Sequence, residues 1–179
     1  MKHIKTIYEK EIFPEKEEVE IEYRERLTAK AIIFNSDGLI AMVGSKSHPY
    51  SLLPGGGVDD GEDYEAGIIR ELKEEIGCDI EISECVGEID DYRSLSEKHY
   101  ITRCFYGKIR GEIGELILVP EEIENGFFVK WVGVESALNL LNQAYSELQQ
   151  GKVEAYNIAF NILRDKLFLE EFTKTRNDE

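Results

Sequence analysis

Apolar and polar positions along the chain alternate in period between strand and helix. Leu27 to Phe34 is an apolar run holding Ile32 and Ile33, which predicts a strand, and Asn35-Ser36-Asp37-Gly38 supplies hairpin-turn chemistry before Leu39 to Val43 returns as its partner. Tyr64 to Ile76 has helical spacing. Asp79 to Asp90 alternates through Ile80, Ile82, Val86 and Ile89, His99 to Ile109 reads as a further strand, and Phe127 to Val132 as another, with Trp131 as its core anchor. Helices are expected at Glu135 to Asn142 and at Glu154 to Phe172, the second sharing one side among Ile158, Ile162 and Leu169. Residues 1 to 24 mix charge with scattered Ile4, Ile7, Ile12, Val19 and Ile21, which suits a short strand or hairpin, or an arm packing on a second subunit. Glu115 to Val119 is a short apolar run of unassigned type. Mixed strands, one central helix and terminal helices define an α/β sandwich with a mixed sheet between helices.

The central helix carries the candidate chemistry. Asp63 is a suitable N-cap and Gly77 a suitable stop, so Tyr64 to Ile76 forms about three and a half turns. At roughly 100° per residue, Ile69, Leu72 and Ile76 share an arc of about 60°, while Glu71, Glu74 and Glu75 share one of about 100° that also contains Gly67. Three carboxylates in the last turns repel one another and oppose the helix dipole, two penalties that a bound cation removes. A solvated acidic face is the ordinary meaning of such a run. Here, however, Pro54 and Gly55 to Gly57 precede the helix as a tight turn free of side chains, able to bring backbone groups up to a ligand. Oxygen-only donors select a hard ion, Mg²⁺ or Mn²⁺, rather than zinc.

Composition narrows the partners. Of 179 residues, 37 are acidic and 21 basic, a formal net charge of −16 that argues against DNA, RNA or an anionic membrane surface. A small nucleotide escorted by metal ions stays compatible. Cys78, Cys85 and Cys104 lack CxxC or zinc spacing, which fits reduced thiols in a cytoplasmic protein. Met1 to Lys10 is charged rather than apolar, and no signal peptide or membrane span is read.

From Gly56, five residues lead to Glu62, seven more to Arg70-Glu71-Leu72, then Lys73, Glu74-Glu75, Ile76, Gly77 and Cys78. This pattern resembles the Nudix box, the signature of MutT-like hydrolases that cleave a nucleoside diphosphate linked to another group. It departs from that pattern at Cys78, where a larger aliphatic residue is usual, and at Gly67 and Ile68, which replace small alanines. The likeness covers about Arg26 to Ala144. It implies an α/β/α sandwich in which residues 1–25 form an N-terminal strand or arm, 26–144 the Nudix domain, and 145–179 a helix packed on it.

The resemblance also implies roles. Glu71, Glu74 and Glu75 match the family's metal-binding carboxylates, and Gly56 matches the glycine whose carbonyl completes the site. Arg70 and Glu62 match the ion pair that orients those glutamates. The expected reaction is metal-assisted hydrolysis of a phosphoanhydride, in a nucleoside triphosphate or an ADP-ribose-like nucleotide sugar, with two or more Mg²⁺. Glu74 or Glu75 is the first choice of base. Glu122, then Glu121, matches the further acidic residue that members often place before a late strand. Lys46 and His48, in a polar loop from Gly44 to Ser51, and Gly55, Gly56, Tyr92, Tyr100 and Arg103 are candidates for substrate contact. A catalytically inactive nucleotide-binding sensor or interaction module is the alternative function, and a homodimer through residues 1 to 24 or an edge strand is a further expectation.

Overall fold

The computed structural model describes residues 1–17 and 20–177, so Val19 lies outside the described residues. The elements are β1 (His3–Ile7), α1 (Glu9–Ile12), β2 (Arg24–Phe34), β3 (Ile40–Ser45), β4 (His48–Leu52), α2 (Tyr64–Ile76), β5 (Asp79–Arg93), β6 (Lys98–Arg110), α3 (Pro120–Glu124), β7 (Phe128–Val132), α4 (Val134–Gln149) and α5 (Tyr156–Asn177). They form the expected α/β sandwich on a seven-stranded mixed sheet of order β1-β5-β6-β2-β3-β4, with β7 added to β3.

β2 is the hinge of the architecture. It runs parallel to β6 along its whole length but touches β3 only at Phe34 and Ile40, where the Asn35–Gly38 turn closes the hairpin. Asn35 Oδ1 accepts from the amides of Asp37 and Leu39, which fixes that turn. The other edge of β2 is therefore open, and the glycine turn fills it. Ala31 donates to the Pro54 carbonyl, Ala29 to that of Gly56, and Val58 to that of Leu27.

Strand alternation in β2 sorts two cores. Ala29, Ala31 and Ile33 face α2 with Ala41 and Phe105, whereas Ile32 joins Ile40, Met42, Ile89 and Cys104 beneath α4 and α5. Small residues on the α2 side let that helix approach the sheet closely. Ile68, Leu72 and Ile76 fill the contact, and each is essentially inaccessible. The face thus includes Ile68 in place of Ile69, which is 42% exposed. We expect Ile68→Ala to cost about 2–5 kcal/mol in a denaturant melt and Ile69→Ala under about 1 kcal/mol. Equal costs would contradict this packing.

Several boundaries differ from the sequence reading. Gly44 to Ser51 is no loop: it spans the β3–β4 hairpin, with Val43 opposite Leu52 and Gly44 opposite Ser51. The polar composition of a short terminal strand conceals it. β5 continues past Asp90 through Tyr92 and Arg93, because β6 supplies partners to its end. Glu115 to Val119 has no regular structure; the segment docks on the C-terminal end of α2 through Gly114 N–H to Gly77 O and Ile117 N–H to Glu74 O. The N-terminal segment packs on its own chain. β1 extends the sheet beside β5, and Ile7 and Ile12 are buried in the α5-side core. No helix among the described residues is long and apolar enough to cross a membrane.

Candidate active site

The α2 helix begins as its sequence dictates, with the Asp63 carboxylate accepting the Ala66 amide at 2.8 Å, and ends on Gly77 at φ 75°. The burial of Ile68 turns the helix so that its glutamates flank the packed face instead of opposing it. Glu75 reaches the glycine turn and accepts the Gly55 amide at 2.7 Å. Glu71 lies against Gly56: a Cβ there would stand 2.5 Å from its Oε2, so the cradle admits only glycine without displacing the carboxylate.

Arg70 organises the remainder. Its Nε and Nη2 donate to Glu62 at 3.0 and 3.1 Å, a bidentate fork, while Nη2 also donates to the Gly57 carbonyl at 2.8 Å. Its Nη1 donates to Glu71 at 2.9 Å and to Glu74 at 3.4 Å. Arg70 thereby ties helix, turn and two of the three carboxylates together. It is a positioning residue in this arrangement, and Glu62 is its brace through a further bond from the Asp59 amide.

Burial pushes the Glu75 carboxyl up to about 7 and raises that of Glu71, where the Arg70 guanidinium works the other way. A hard divalent cation fits the donor set, which is carboxylate and carbonyl oxygen around a side-chain-free turn. Among the described residues no three such side chains are already drawn into a cage, because Arg70 and the Gly55 amide hold them. The Gly56 carbonyl accepts from Ala29 and that of Gly55 from Lys30.

These shifts carry a sign. A carboxyl near 7 in the native state and at its ordinary 4.5 when unfolded keeps its proton in the fold through that interval. Stability therefore falls as pH rises across it. We expect the melting temperature without divalent cation to drop between about pH 5 and about pH 8, less so in Glu75→Gln, and Mg²⁺ to restore more at the upper end. A variant with the wild-type slope would remove Glu75 as the cause.

On the other face of β2 a pocket of about 330 Å³ opens beside the turn, lined by Arg26, Thr28, Lys30, Gly55 to Gly57, Arg93, Tyr100, Asn157, Asn161 and Arg164. Lys30 is buried and donates to the Leu53 and Gly55 carbonyls, with burial lowering its pKa. Asp165 Oδ2 accepts the Leu53 amide at 3.0 Å, fastening α5 to the chain just before the turn. Arg93 lies over the Tyr100 ring, 4.1 Å from its centroid, and is gripped by Asp91.

Of the substrate-contact candidates, Gly55, Gly56 and Tyr100 line this pocket. Tyr92 and Arg103 alternate onto the opposite face of the sheet. Tyr92 stacks on His99 at 4.1 Å and packs with Tyr8 and Tyr23, and Arg103 pairs with Glu88 and covers the Tyr64 ring. Lys46 is exposed at the β3–β4 turn, its stem beside Gly126, and His48 stacks on Tyr50 within β4. Glu122 sits in α3 and accepts the Val119 amide at 2.9 Å, and its charge still reaches Glu75. Cys78 is buried with its thiol raised by burial and by Asp79, consistent with a packing role. The sequence reading missed Lys30, Arg93, Asn157, Asn161 and Arg164. A lysine inside the apolar run of β2 was the one available signal.

Fold and site together define the class: an α/β/α sandwich that fastens a carboxylate-rich helix to a glycine turn by an arginine fork. The NUDIX domain family model matches residues 24–151, and the chain belongs to that family. It is 35% identical over 83 residues to a putative 8-oxo-dGTP diphosphatase of Bacillus subtilis (strain 168), covering 46% of this chain and 53% of that protein. An RNA pyrophosphohydrolase of Wolbachia pipientis subsp. Culex pipiens is 30% identical over 123 residues, covering 66% and 67%. The chain thus spans between about half and two thirds of these two relatives. Among solved structures, the MutT protein from Methanosarcina mazei Go1 matches with TM-score 0.52 at 19% identity, over 75% of this chain and 100% of that one. A NUDIX hydrolase from Nitrosomonas europaea matches with TM-score 0.54 at 17% identity, over 75% and 95%. Both support the fold.

Proposed function

We propose that the protein hydrolyses a phosphoanhydride bond in a nucleoside diphosphate linked to another group, either a nucleoside triphosphate or an ADP-ribose-like nucleotide sugar. The observation that carries this reading is that Glu75 and Glu71 lie against Gly55 and Gly56 while Arg70 links Glu74 to the same turn, next to a pocket whose lining holds cations and no acid. The relatives' names, a diphosphatase and a pyrophosphohydrolase, point to the same bond.

Glu71, Glu74 and Glu75, with the Gly56 carbonyl, would hold Mg²⁺ or Mn²⁺. Bound there, the cation neutralises the diphosphate oxygens. The chain's own groups do the rest. The water oxygen bonds to one phosphorus, the bridging P–O bond breaks with its electron pair leaving on the other phosphate, and a carboxylate takes the water's proton. Glu75 is the first choice for that last task because its carboxylate stands against the turn, where it accepts the Gly55 amide. Glu74 and Glu122 are the alternatives. Lys30 stiffens the turn from behind, and Arg70 aims Glu71 and Glu74. Three free thiols, two of them buried, suit a reducing compartment, for which we propose the cytoplasm.

The test is phosphate or pyrophosphate release from nucleoside triphosphates, nucleotide sugars, dinucleoside polyphosphates and a 5′-triphosphorylated oligoribonucleotide, with Mg²⁺ and with Mn²⁺. Metal-dependent turnover of one class establishes the reading. Tight metal-dependent binding with no turnover would instead make the protein a nucleotide sensor.

A further inference from the structure

The acid-free pocket has two ends. Near the helix lie Gly55 to Gly57, Arg26 and Lys30, and away from it lie Arg93, Tyr100, Asn157 and Asn161, with Arg164 between. Asn157, Asn161 and Arg164 come from successive turns of α5, spread over roughly 10 Å at 1.5 Å per residue. That helix lies beyond residue 151, where the family match ends.

The far end is built to donate hydrogen bonds. Arg93 gives Nε and Nη2 to Asp91, Nη2 also to Asn161 Oδ1 at 3.0 Å and Nη1 to Asn157 Oδ1 at 3.3 Å. With both amide oxygens so engaged, the side-chain groups left to each asparagine are Nδ2 donors. Arg164 donates Nε to Asp165 at 3.1 Å, and its Nη groups have no hydrogen bond among the described residues. Arg93 thus spends its N–H groups on Asp91, Asn157 and Asn161 and holds the two asparagines in place, while the buried Arg164, braced by Asp165, keeps Nη donors for an oxyanion. A nucleobase is served poorly here. It needs an open aromatic face and acceptors for its own N–H groups, whereas the one aromatic ring of the lining, Tyr100, has the Arg93 guanidinium over a face.

We propose that the substrate carries a second phosphate, apart from the scissile diphosphate, and that the Nη groups of Arg164 and the Nδ2 groups of Asn157 and Asn161 receive it, with Arg93 positioning the two asparagines. This rests on the hydrolase reading above and specifies its substrate class: a small nucleotide derivative with an additional phosphomonoester. A polymer's phosphodiester is the other chemical source, and the net charge of −16 disfavours it.

The probes are ADP-ribose, its 1″-phosphate, its 2′-phosphate and a 5′-triphosphorylated oligoribonucleotide, each with Mg²⁺. The expected result is a kcat/KM at least about tenfold higher for one of the two phosphorylated forms than for ADP-ribose. The preferred isomer shows which end of the substrate enters the pocket. Asn157→Asp, which puts a carboxylate at an exposed lining position with little risk to folding, is expected to cancel that preference, while Asn157→Ala keeps most of it. Equal kcat/KM for the three small probes, a uniform loss on all of them in Asn157→Asp, or preference for the oligonucleotide overturns the proposal. Calorimetric titration of the same small probes into Glu75→Gln separates it from the hydrolase reading. A Kd preference for a phosphorylated form upholds the pocket assignment even where no probe is turned over, and equal Kd values overturn it.

Discussion

Glu75→Gln is expected to lower kcat by about three orders of magnitude or more and to leave the protein folded. The side chain does two things that can be separated. Its Oε2 accepts the Gly55 amide at 2.7 Å, a structural bond that a glutamine carbonyl can reproduce at the same volume. Its charge is the part glutamine lacks. Without that charge the site loses a cation ligand or its proton acceptor, the two roles proposed for this carboxylate. Because burial makes the ionised form costly, the variant should melt no lower than wild type in the absence of divalent cation at about pH 8. The decisive measurement is single-turnover product release alongside a thermal melt. A variant with kcat within about tenfold of wild type removes Glu75 from the chemistry, and one that is inactive because it is unfolded decides nothing about the base, which is why Glu74→Gln belongs in the same series.

Helix α2 was readable from end to end, since its cap, its stop and its apolar spacing are all local signals. Its orientation was less so. Ile68 and Ile69 are equally apolar, and which of them is buried depends on Ala29 and Ala31, nearly forty residues earlier, whose small side chains receive Ile68. That rotation of about 30° relative to the expected face is what turns Glu75 toward the protein instead of the solvent. The Arg70–Glu62 fork followed from the resemblance and appears in the geometry. The pocket wall did not follow from any pattern. Lys30, Arg93 and Arg164 are single charges in otherwise apolar or mixed segments, and their meaning comes from pairing across the fold, as when Asp165 on α5 holds the Leu53 amide. Tyr92 and Arg103 lie away from this pocket for a related reason. Strand alternation puts neighbours on opposite faces, so Tyr92 and Arg93 serve different sides of one sheet, and without β-sheet register the sequence does not tell which side holds the site.

The two adjacent glycines of the turn offer the sharpest separation of stability from chemistry. At Gly55 the backbone has φ 117°, and an added Cβ would stand 2.3 Å from the Ala29 carbonyl oxygen and 2.7 Å from Ile68 Cδ1. Neither neighbour can yield cheaply: one is the main chain of β2, the other a core side chain. Gly55→Ala is therefore expected to cost about 3 kcal/mol or more, read as a lower denaturation midpoint, with activity lost because the turn itself is lost. Gly56 differs in what it faces. The three atoms nearest its Cβ would all belong to the carboxylate of Glu71, the closest being Oε2 at 2.5 Å, and that group ends a flexible side chain. Gly56→Ala should keep its denaturation midpoint to within about 1 kcal/mol of wild type. Its kcat/KM should fall by about a hundredfold and its half-saturating Mg²⁺ concentration should rise, because the displaced Glu71 is one of the three proposed carboxylate ligands. Raising Mg²⁺ should then recover part of the activity in Gly56→Ala and none in Gly55→Ala at temperatures where the latter is unfolded. If Gly56→Ala bound Mg²⁺ and turned over substrate as wild type does, the Glu71 carboxylate would not be holding the cation beside this turn, and the site would have to be centred on Glu74 and Glu75 alone.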